Sequence, residues 1–137
     1  MGGYVRKPPP GTDAVLNLCA TEDRYQCEIH VWEPIPDAPP APGTDWLREM
    51  VDFVRTQQDN GRQTYVHCAQ GVSRCGLVVT AYFMEENGWT RDEALAYIRS
   101  KRPNVRPHPV FMKLLTEWES VLAAERDRDN ESSTESG

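Results

Sequence analysis

Residues 66–76 read VHCAQGVSRCG, with five residues, among them Gly71, between Cys68 and Arg74. A short apolar run ends with Tyr65 and Val66, where this stretch begins, and a second apolar run, without glycine or proline, begins at Leu77. We therefore predict that the stretch connects a strand to the start of a helix. Backbone N–H groups at such a junction lack intrahelical acceptors and can converge on an anion. The sequence predicts a phosphate-binding loop here.

The side chains of this loop suit phosphate chemistry. Arg74 carries a planar, permanently charged guanidinium that can hold two phosphoryl oxygens at once. The same positive field favours the thiolate of Cys68, since a thiol with an ordinary pKa of about 8.5 is only a few per cent ionised at neutral pH. Gly71 permits a positive φ or a close backbone approach that a side chain would block. The pattern indicates a nucleophilic cysteine beneath a bound phosphorus. The predicted phosphate contacts are Ala69, Gln70, Gly71, Val72, Ser73 and Arg74.

These residues also carry a family resemblance. His67, Cys68, Gly71 and Arg74 match the HCxxGxxR signature of the cysteine-dependent phosphatases, the protein tyrosine phosphatase superfamily. From about residue 3 to residue 118, the chain resembles the dual-specificity subgroup of that superfamily. The resemblance implies an α/β sandwich, in which helices flank a mostly parallel central sheet. It also implies that His67 supports Cys68 by hydrogen bonding, which lowers the pKa of the thiol.

A proline-rich segment supplies the candidate general acid. Residues 34–42 read PIPDAPPAP, with five prolines in nine positions, and Asp37 is their only ionisable group. Such a segment cannot be helix or central strand, so we expect a stiff loop. In the resembling family a loop in this region donates the proton to the leaving oxygen, and Asp37 is the matching position. The alternatives are an Asx-turn role for Asp37, or Asp23 or Asp45 as the acid.

Two positions depart from the family pattern. Cys75 follows Arg74 where the family usually has serine or threonine, whose hydroxyl stabilises the thiolate and eases its departure from phosphorus. A thiol is a poorer donor, so we expect slow hydrolysis of the phosphocysteine intermediate. Two further interpretations of Cys75 stay open: an oxidative disulfide with Cys68, and a small core residue. His108 stands where asparagine is common, a difference that we expect to affect packing or an indirect contact.

Periodicity predicts the remaining elements. Strands are expected at 14–19, 28–35 and 64–67, and helices at 44–58, capped by Thr44, and 74–87, ended by Gly88. A Thr90–Glu93 capping box opens the next helix, and a last amphipathic helix follows. Strands that alternate with helices favour a parallel sheet. We expect one catalytic domain over residues 1–124 and a disordered, charged tail over 125–137.

Composition narrows the range of functions. The 137 residues carry a net charge of −6 without a basic stripe, which argues against nucleic-acid binding. No apolar stretch has the length of a membrane span. The three histidines lack ligand spacing, so we expect no metal and no cofactor. A nucleophilic cysteine has to stay reduced, so we expect a cytoplasmic location and no disulfide framework among the four cysteines. We also expect a monomer.

The predicted activity is dephosphorylation of proteins at tyrosine and at serine or threonine. The resemblance favours phosphoprotein because the variable loop positions Ala69, Gln70, Val72 and Ser73 carry no charge, whereas phosphoinositide phosphatases often place lysines there. The alternatives are a phosphoinositide or RNA 5′-triphosphate substrate, a rhodanese-type fold, and a loop that binds phosphate without turnover. The predicted partner is a phosphoprotein substrate.

Overall fold

The structure, a computed structural model, describes residues 10–19, 23, 27–35, 40–67 and 73–136, with side chains as far as residue 128. Strands β1 to β3 are Ala14–Asn17, Ile29–Trp32 and Thr64–His67, and helices α1 to α4 are Thr44–Asp59, Arg74–Asn87, Arg91–Lys101 and Pro109–Ser136. In the described part of the chain, the strands form one sheet in the order β2-β1-β3, and both pairings are parallel. The predicted α/β architecture with a parallel sheet is confirmed.

The register of the sheet determines where polar side chains meet. All four residues of the central strand β1 are buried, as expected for a parallel strand with neighbours on both sides and helices over its faces. Ala14 lies opposite Ile29 and Thr64. At the other end, Asn17 lies opposite Trp32 and His67. The carboxyl ends of the three strands therefore form one edge, where open parallel sheets place their ligands.

Helix α2 lies at the centre of the helical layer and packs against α1, α3, α4 and β3. Its buried side chains interleave with those of the neighbouring elements because these helices all carry an apolar face. The indole N–H of Trp118, which is fully buried on α4, donates to the carbonyl of Ala81 on α2 at 3.1 Å. The largest wholly buried residues of the main core include Leu16, Leu47, Leu77, Met84, Phe111, Leu115 and Trp118.

Two predicted helix ends are confirmed. Gly88 ends α2 in the left-handed region, at φ 68°, which glycine adopts without steric penalty. Thr90 and Glu93 form the predicted capping box, since the amide of Glu93 donates to the Thr90 hydroxyl and the amide of Thr90 donates to the Glu93 carboxylate. The predicted cap of α1 is wrong: Thr44 is its first helical residue, and Gly43 occupies the N-cap position without a side-chain acceptor.

Helix α4 extends to Ser136, beyond the boundary at residue 124 that the sequence suggests. Residues 123–128 read AAERDR, and this run has good helix propensity. Its high charge is therefore not a sufficient reason to expect an irregular chain. Two side chains in this run also reach other helices: Glu125 pairs with Arg48, and a guanidinium N–H of Arg126 donates to the Met84 carbonyl at 3.5 Å. Within the described residues, no helix is both long and apolar enough to cross a membrane.

Candidate active site

The structure describes both flanks of the predicted phosphate loop. His67 is the last residue of β3 and is fully buried, whereas Arg74 is the first residue of α2 and follows Ser73 at the N-cap position. The predicted strand-to-helix connection is therefore present. Cys68 and the loop residues Ala69, Gln70, Gly71 and Val72 lie outside the described residues, and so does Asp37.

The His67 side chain is held on several sides. Its Nε2–H donates to Asp23 Oδ2 at 2.9 Å, and its Nδ1 lies 3.8 Å from the Cys19 sulfur. The ring stacks on Tyr65 with centroids 5.3 Å apart. The His67 carbonyl accepts from the Leu18 amide at 2.9 Å, which connects β3 to the end of β1. The residue that leads into Cys68 is thus fixed through its backbone and its ring.

Asp23 has two imidazole partners. Besides His67, it accepts from His30 Nε2–H at 2.8 Å through the same oxygen, Oδ2. The Asp23 side chain is fully buried, and in the described part of the chain its Oδ1 has no hydrogen-bond partner. A side chain committed in this way cannot readily deliver a proton to a leaving group. Asp45, the other rival acid, lies exposed in the first turn of α1.

Sequence reasoning missed the contact between Asp23 and His67. It considered Asp23 as a rival acid and expected His67 to support the nucleophile. The two residues are 44 positions apart and come together because the end of β1 leads into the segment that contains Asp23. The only available signal was chemical: a buried strand histidine needs a partner for each ring nitrogen.

Arg74 contacts the segment that leads to the candidate acid. Its Nη1–H donates to the carbonyl of Ile35 at 3.1 Å, and the Ile35 amide in turn lies 3.4 Å from the Leu18 carbonyl. Ile35 is buried, two residues before Asp37. The guanidinium of Arg74 and the start of the proline-rich segment are therefore directly joined.

The segment after α3 packs against the start of α2. A Cβ at Gly76 would lie 3.0 Å from Val105 Cγ1, so glycine permits this close approach. The His108 amide donates to the Ser73 hydroxyl at 2.8 Å, and the His108 Nδ1 accepts from the amide of Val110 at 3.1 Å. His108 thus bonds to the first turn of α4 and to the N-cap of α2. Its predicted role in packing or indirect contact agrees with these contacts.

The side chain of Cys75 is fully buried and belongs to the main hydrophobic core. This location fits a small core residue, and the proposed contacts of Cys75 with Cys68 remain predictions. Cys19, Cys27 and Cys75 are present as thiols.

Tyr65 is the aromatic neighbour of His67 on β3. Burial raises the pKa of its hydroxyl above the ordinary value, and the positive charge of Arg102 opposes that increase. Arg102 begins the segment that leads to His108, so the chain after α3 brings a positive charge near Tyr65.

Comparison with known proteins agrees with this geometry. The family model described as dual specificity phosphatase, catalytic domain, matches residues 11–121. The mouse protein phosphatase Slingshot homolog 1 is 33% identical over 123 residues, which cover 88% of this chain and 12% of that protein. Mouse dual specificity protein phosphatase 1 is 31% identical over 119 residues, covering 83% of this chain and 32% of that protein. The crystal structure of DUSP15 is similar with a TM-score of 0.78 and 25% identity, covering 88% of this chain and 78% of that chain.

A Cys-x5-Arg sequence that begins directly after a strand of a parallel sheet is typical of the protein tyrosine phosphatase superfamily, and the family match puts the chain in that class. Within that class, the chain belongs to the dual-specificity phosphatase family. It spans only 6% to 32% of the length of the curated relatives named Slingshot and dual specificity protein phosphatase 1.

Proposed function

We propose that this chain hydrolyses phosphotyrosine and phosphoserine or phosphothreonine in proteins through a phosphocysteine intermediate. The observation that carries the proposal is the position of Arg74, the first residue of the helix that follows β3 in a chain with the HCxxGxxR pattern. At that position the positive end of the α2 dipole and the guanidinium charge act on the same anion. The family membership supports the same chemistry.

The reaction has two displacement steps at phosphorus. In the first, the Cys68 thiolate attacks, a P–S bond forms, and the ester oxygen departs with the proton of Asp37. In the second, water attacks phosphorus and gives a proton to the Asp37 carboxylate, and the P–S bond breaks to release phosphate and the thiolate. Arg74 and the amides of residues 69–74 stabilise the charge on the non-bridging oxygens in both steps.

Asp37 is proposed as the general acid for two reasons. The first is the family resemblance of the proline-rich loop. The second is elimination: Asp23 is buried between two imidazoles, and Asp45 is an exposed residue at the start of α1. The hydrogen bond from Arg74 to Ile35 supports this assignment, because it ties the start of the Asp37 loop to the residue that would bind phosphate.

Phosphoprotein is the proposed substrate class. The uncharged residues at positions 69, 70, 72 and 73 do not offer the additional cations that an inositol phosphate ring favours. The names of the Slingshot relatives describe protein phosphatases, which agrees with this choice. The reduced state that Cys68 requires supports a cytoplasmic location, and we expect a monomer.

Hydrolysis of p-nitrophenyl phosphate tests the proposal, with Cys68→Ser as the inactive variant and Cys27→Ser as the matched control. Cys27 donates its thiol proton to the carbonyl of Asp13 at 3.3 Å, a contact that a serine hydroxyl can reproduce. We expect Cys68→Ser to lose turnover while binding of tungstate, a phosphate analogue, persists, because the anion-binding groups remain. A Cys68→Ser activity near that of Cys27→Ser would exclude the covalent mechanism.

The same assay separates the competing functions. Tungstate binding without turnover of any substrate by the unsubstituted chain would indicate a phosphate-binding module. Phosphopeptides, a soluble phosphoinositide and a 5′-triphosphorylated RNA then identify the substrate class by their relative kcat/KM. We expect phosphopeptides to be preferred, and a preference for either other substrate would overturn the assignment.

A further inference from the structure

The contact between His67 and Asp23 points to a residue that acts on the nucleophile indirectly. Oδ2 of Asp23 accepts from His67 Nε2–H at 2.9 Å and from His30 Nε2–H at 2.8 Å. The side chains of Asp23, His30 and His67 are here called the Asp–His array. Both partners within the pair Asp23–His67 are fully buried, whereas His30 retains 19% exposure.

The array determines the tautomer of His67. An imidazole nitrogen that faces a carboxylate oxygen has to carry a hydrogen, because an ionised carboxylate can only accept. The partner of one ring nitrogen determines which nitrogen is protonated and how the ring is oriented. Asp23 therefore selects the Nε2–H form of His67 and turns Nδ1 toward the Cys19 sulfur, 3.8 Å away.

His67 also transmits this orientation along the chain. Its carbonyl carbon is bonded to the nitrogen of Cys68, and its carbonyl oxygen is held by the Leu18 amide at 2.9 Å. The ring and the backbone of His67 are thus fixed by contacts to two other segments of the chain, the end of β1 and the segment that contains Asp23. A reacting group that is displaced by about 1 Å can lose roughly 100-fold in rate. A residue that immobilises His67 consequently controls the placement of the next side chain.

We propose that Asp23 is a positioning residue for the phosphatase reaction, which fixes the tautomer and orientation of His67 and thereby the place of the Cys68 sulfur. The inference rests on the proposed function, and it assigns Asp23 no contact with substrate. His30 has the auxiliary role of holding the carboxylate in place from the more exposed side.

Stability alone gives a poor account of the array. Burial of a carboxylate carries a desolvation penalty, and well-packed apolar residues often replace buried charged groups without loss of stability. One oxygen of Asp23 accepts two hydrogen bonds, while the other accepts none from the described residues. Despite the desolvation penalty, the array makes directional contacts to two histidines. Such an arrangement is expected where the orientation of a histidine ring matters more than stability.

Imidazole ¹⁵N chemical shifts test the proposal independently of turnover. The chain has three histidines, so spectra of His30→Asn and His108→Asn assign the His67 signals by elimination. In the unsubstituted protein, we expect His67 Nε2 to be protonated. A deprotonated Nε2 would overturn the proposal, and this result requires no Asp23 variant. The spectrum remains a valid test if the chain binds phosphate without hydrolysing it.

Variants of Asp23 link the tautomer to the reaction. In Asp23→Ala, we expect the selection of the His67 tautomer to be lost and kcat to fall about 10-fold to 100-fold, while KM changes much less. Asp23→Asn should retain the tautomer and most of kcat, because its amide oxygen can accept the same two N–H groups. The control is Asp13→Asn, because the Asp13 carboxylate accepts from the Gln63 amide at an exposed position.

A kcat for Asp23→Ala within about twofold of Asp13→Asn, or an unchanged His67 spectrum in Asp23→Ala, would overturn the proposal. If Asp23→Ala does not fold, the spectrum of the unsubstituted protein and the comparison of Asp23→Asn with Asp13→Asn decide. In that comparison the proposal requires that any loss of kcat in Asp23→Asn be accompanied by a change in the His67 spectrum. Loss of kcat with an unchanged spectrum would contradict it.

Discussion

Two polar networks of the molecule differ in solvent access. The Asp–His array at the carboxyl edge of the sheet contains two fully buried side chains. The second network, here called the helix-surface network, consists of Arg48, Arg55, Asp52, Glu85 and Glu125, and its side chains are 18% to 41% exposed. Both connect elements that are distant in sequence.

The two networks differ in whether a group that loses a polar partner can find another one. In the helix-surface network each guanidinium contacts at least two carboxylates, and water can solvate any group that loses one of them. In the Asp–His array one oxygen accepts from two donors, and the Asp23 side chain is fully buried. Removing a partner from the buried array therefore leaves an unsatisfied polar group. We expect changes at the sheet edge to affect catalysis and changes at the helix surface to affect stability slightly.

Arg74→Lys and Arg55→Lys compare the same substitution at the two regions. At residue 74 we expect kcat/KM to fall about 100-fold to 1,000-fold, because an ammonium cannot reproduce a bidentate guanidinium in a transition-state anion site. At residue 55 we expect activity to remain within about twofold, since exposed ion pairs contribute little. Steady-state kinetics on p-nitrophenyl phosphate measures both. A mild effect of Arg74→Lys would mean that Arg74 serves mainly its contact with the Ile35 carbonyl.

Asp37→Asn tests whether the proline-rich loop belongs to the reactive region. We expect a loss of about 100-fold or more for an alkyl phosphate, and a much smaller loss for p-nitrophenyl phosphate, whose leaving group needs little protonation. The sign of the pH dependence follows from the roles. Activity rises with pH as Cys68 ionises and falls when Asp37 loses its proton, so the alkaline fall should disappear in Asp37→Asn.

The pH profiles of Asp45→Asn provide the control for that prediction. Asp45 is a carboxylate on the exposed start of α1, and its loss should leave both limbs of the profile in place. If the alkaline limb persists in Asp37→Asn and vanishes in Asp45→Asn, the acid has been assigned to the wrong residue.

The contrast between the regions also explains what the sequence could predict. Periodicity and local chemistry identified the three strands, the start of α2 at Arg74, the Gly88 stop and the Thr90–Glu93 box, because each depends on neighbouring residues. The HCxxGxxR pattern identified the family for the same reason. Local rules failed at Thr44, where the chain enters α1 through Gly43.

Rules that depend on neighbouring residues in the sequence could not predict the long-range polar contacts. Nothing near Asp23 in the sequence indicates that its carboxylate would meet His67, because the contact depends on the parallel register that aligns β1 with β3. The same limit applies to the Arg74–Ile35 hydrogen bond, between residues 39 positions apart. The end of α4 was missed for a different reason: a charged composition suggested disorder, although Glu125 has a partner on α1.

Cys75→Ser examines a buried position beside the reactive loop. We expect kcat to rise severalfold if breakdown of the phosphocysteine limits turnover, because a hydroxyl is a better donor than a thiol. We also expect a loss of stability of about 1 kcal/mol or more, since Cys75 lies in the hydrophobic core. Burst kinetics and thermal unfolding measure the two effects. Unchanged kcat with reduced stability would show that Cys75 is only a core residue.

Peroxide treatment of the same variant tests the predicted disulfide. A Cys68 sulfenic acid that condenses with the Cys75 thiol would release water and form a bond that a thiol reductant can reverse. The unsubstituted chain should then recover more activity after reduction than Cys75→Ser, and mass spectrometry should find the linked peptides. Equal recovery without a linkage would exclude the disulfide.

The smallest effect is expected for Glu125→Gln in the helix-surface network. Glu125 accepts from Arg48, which also pairs with Glu85 and stacks 4.5 Å above the ring of Trp118, so the guanidinium keeps other contacts when one charge is lost. We expect a loss of at most about 1 kcal/mol in the free energy of unfolding. The loss should shrink in about 1 M salt, where the Debye length is only about 3 Å.

Glu117→Gln is the matched control, because Glu117 lies exposed on the same helix and the substitution removes the same charge. Urea unfolding at low and high salt gives the difference between the two variants, and kcat should be unchanged in both. A loss of stability well above 1 kcal/mol, insensitive to salt, would show that the helix-surface network behaves like the buried array and that solvent access does not separate the two regions.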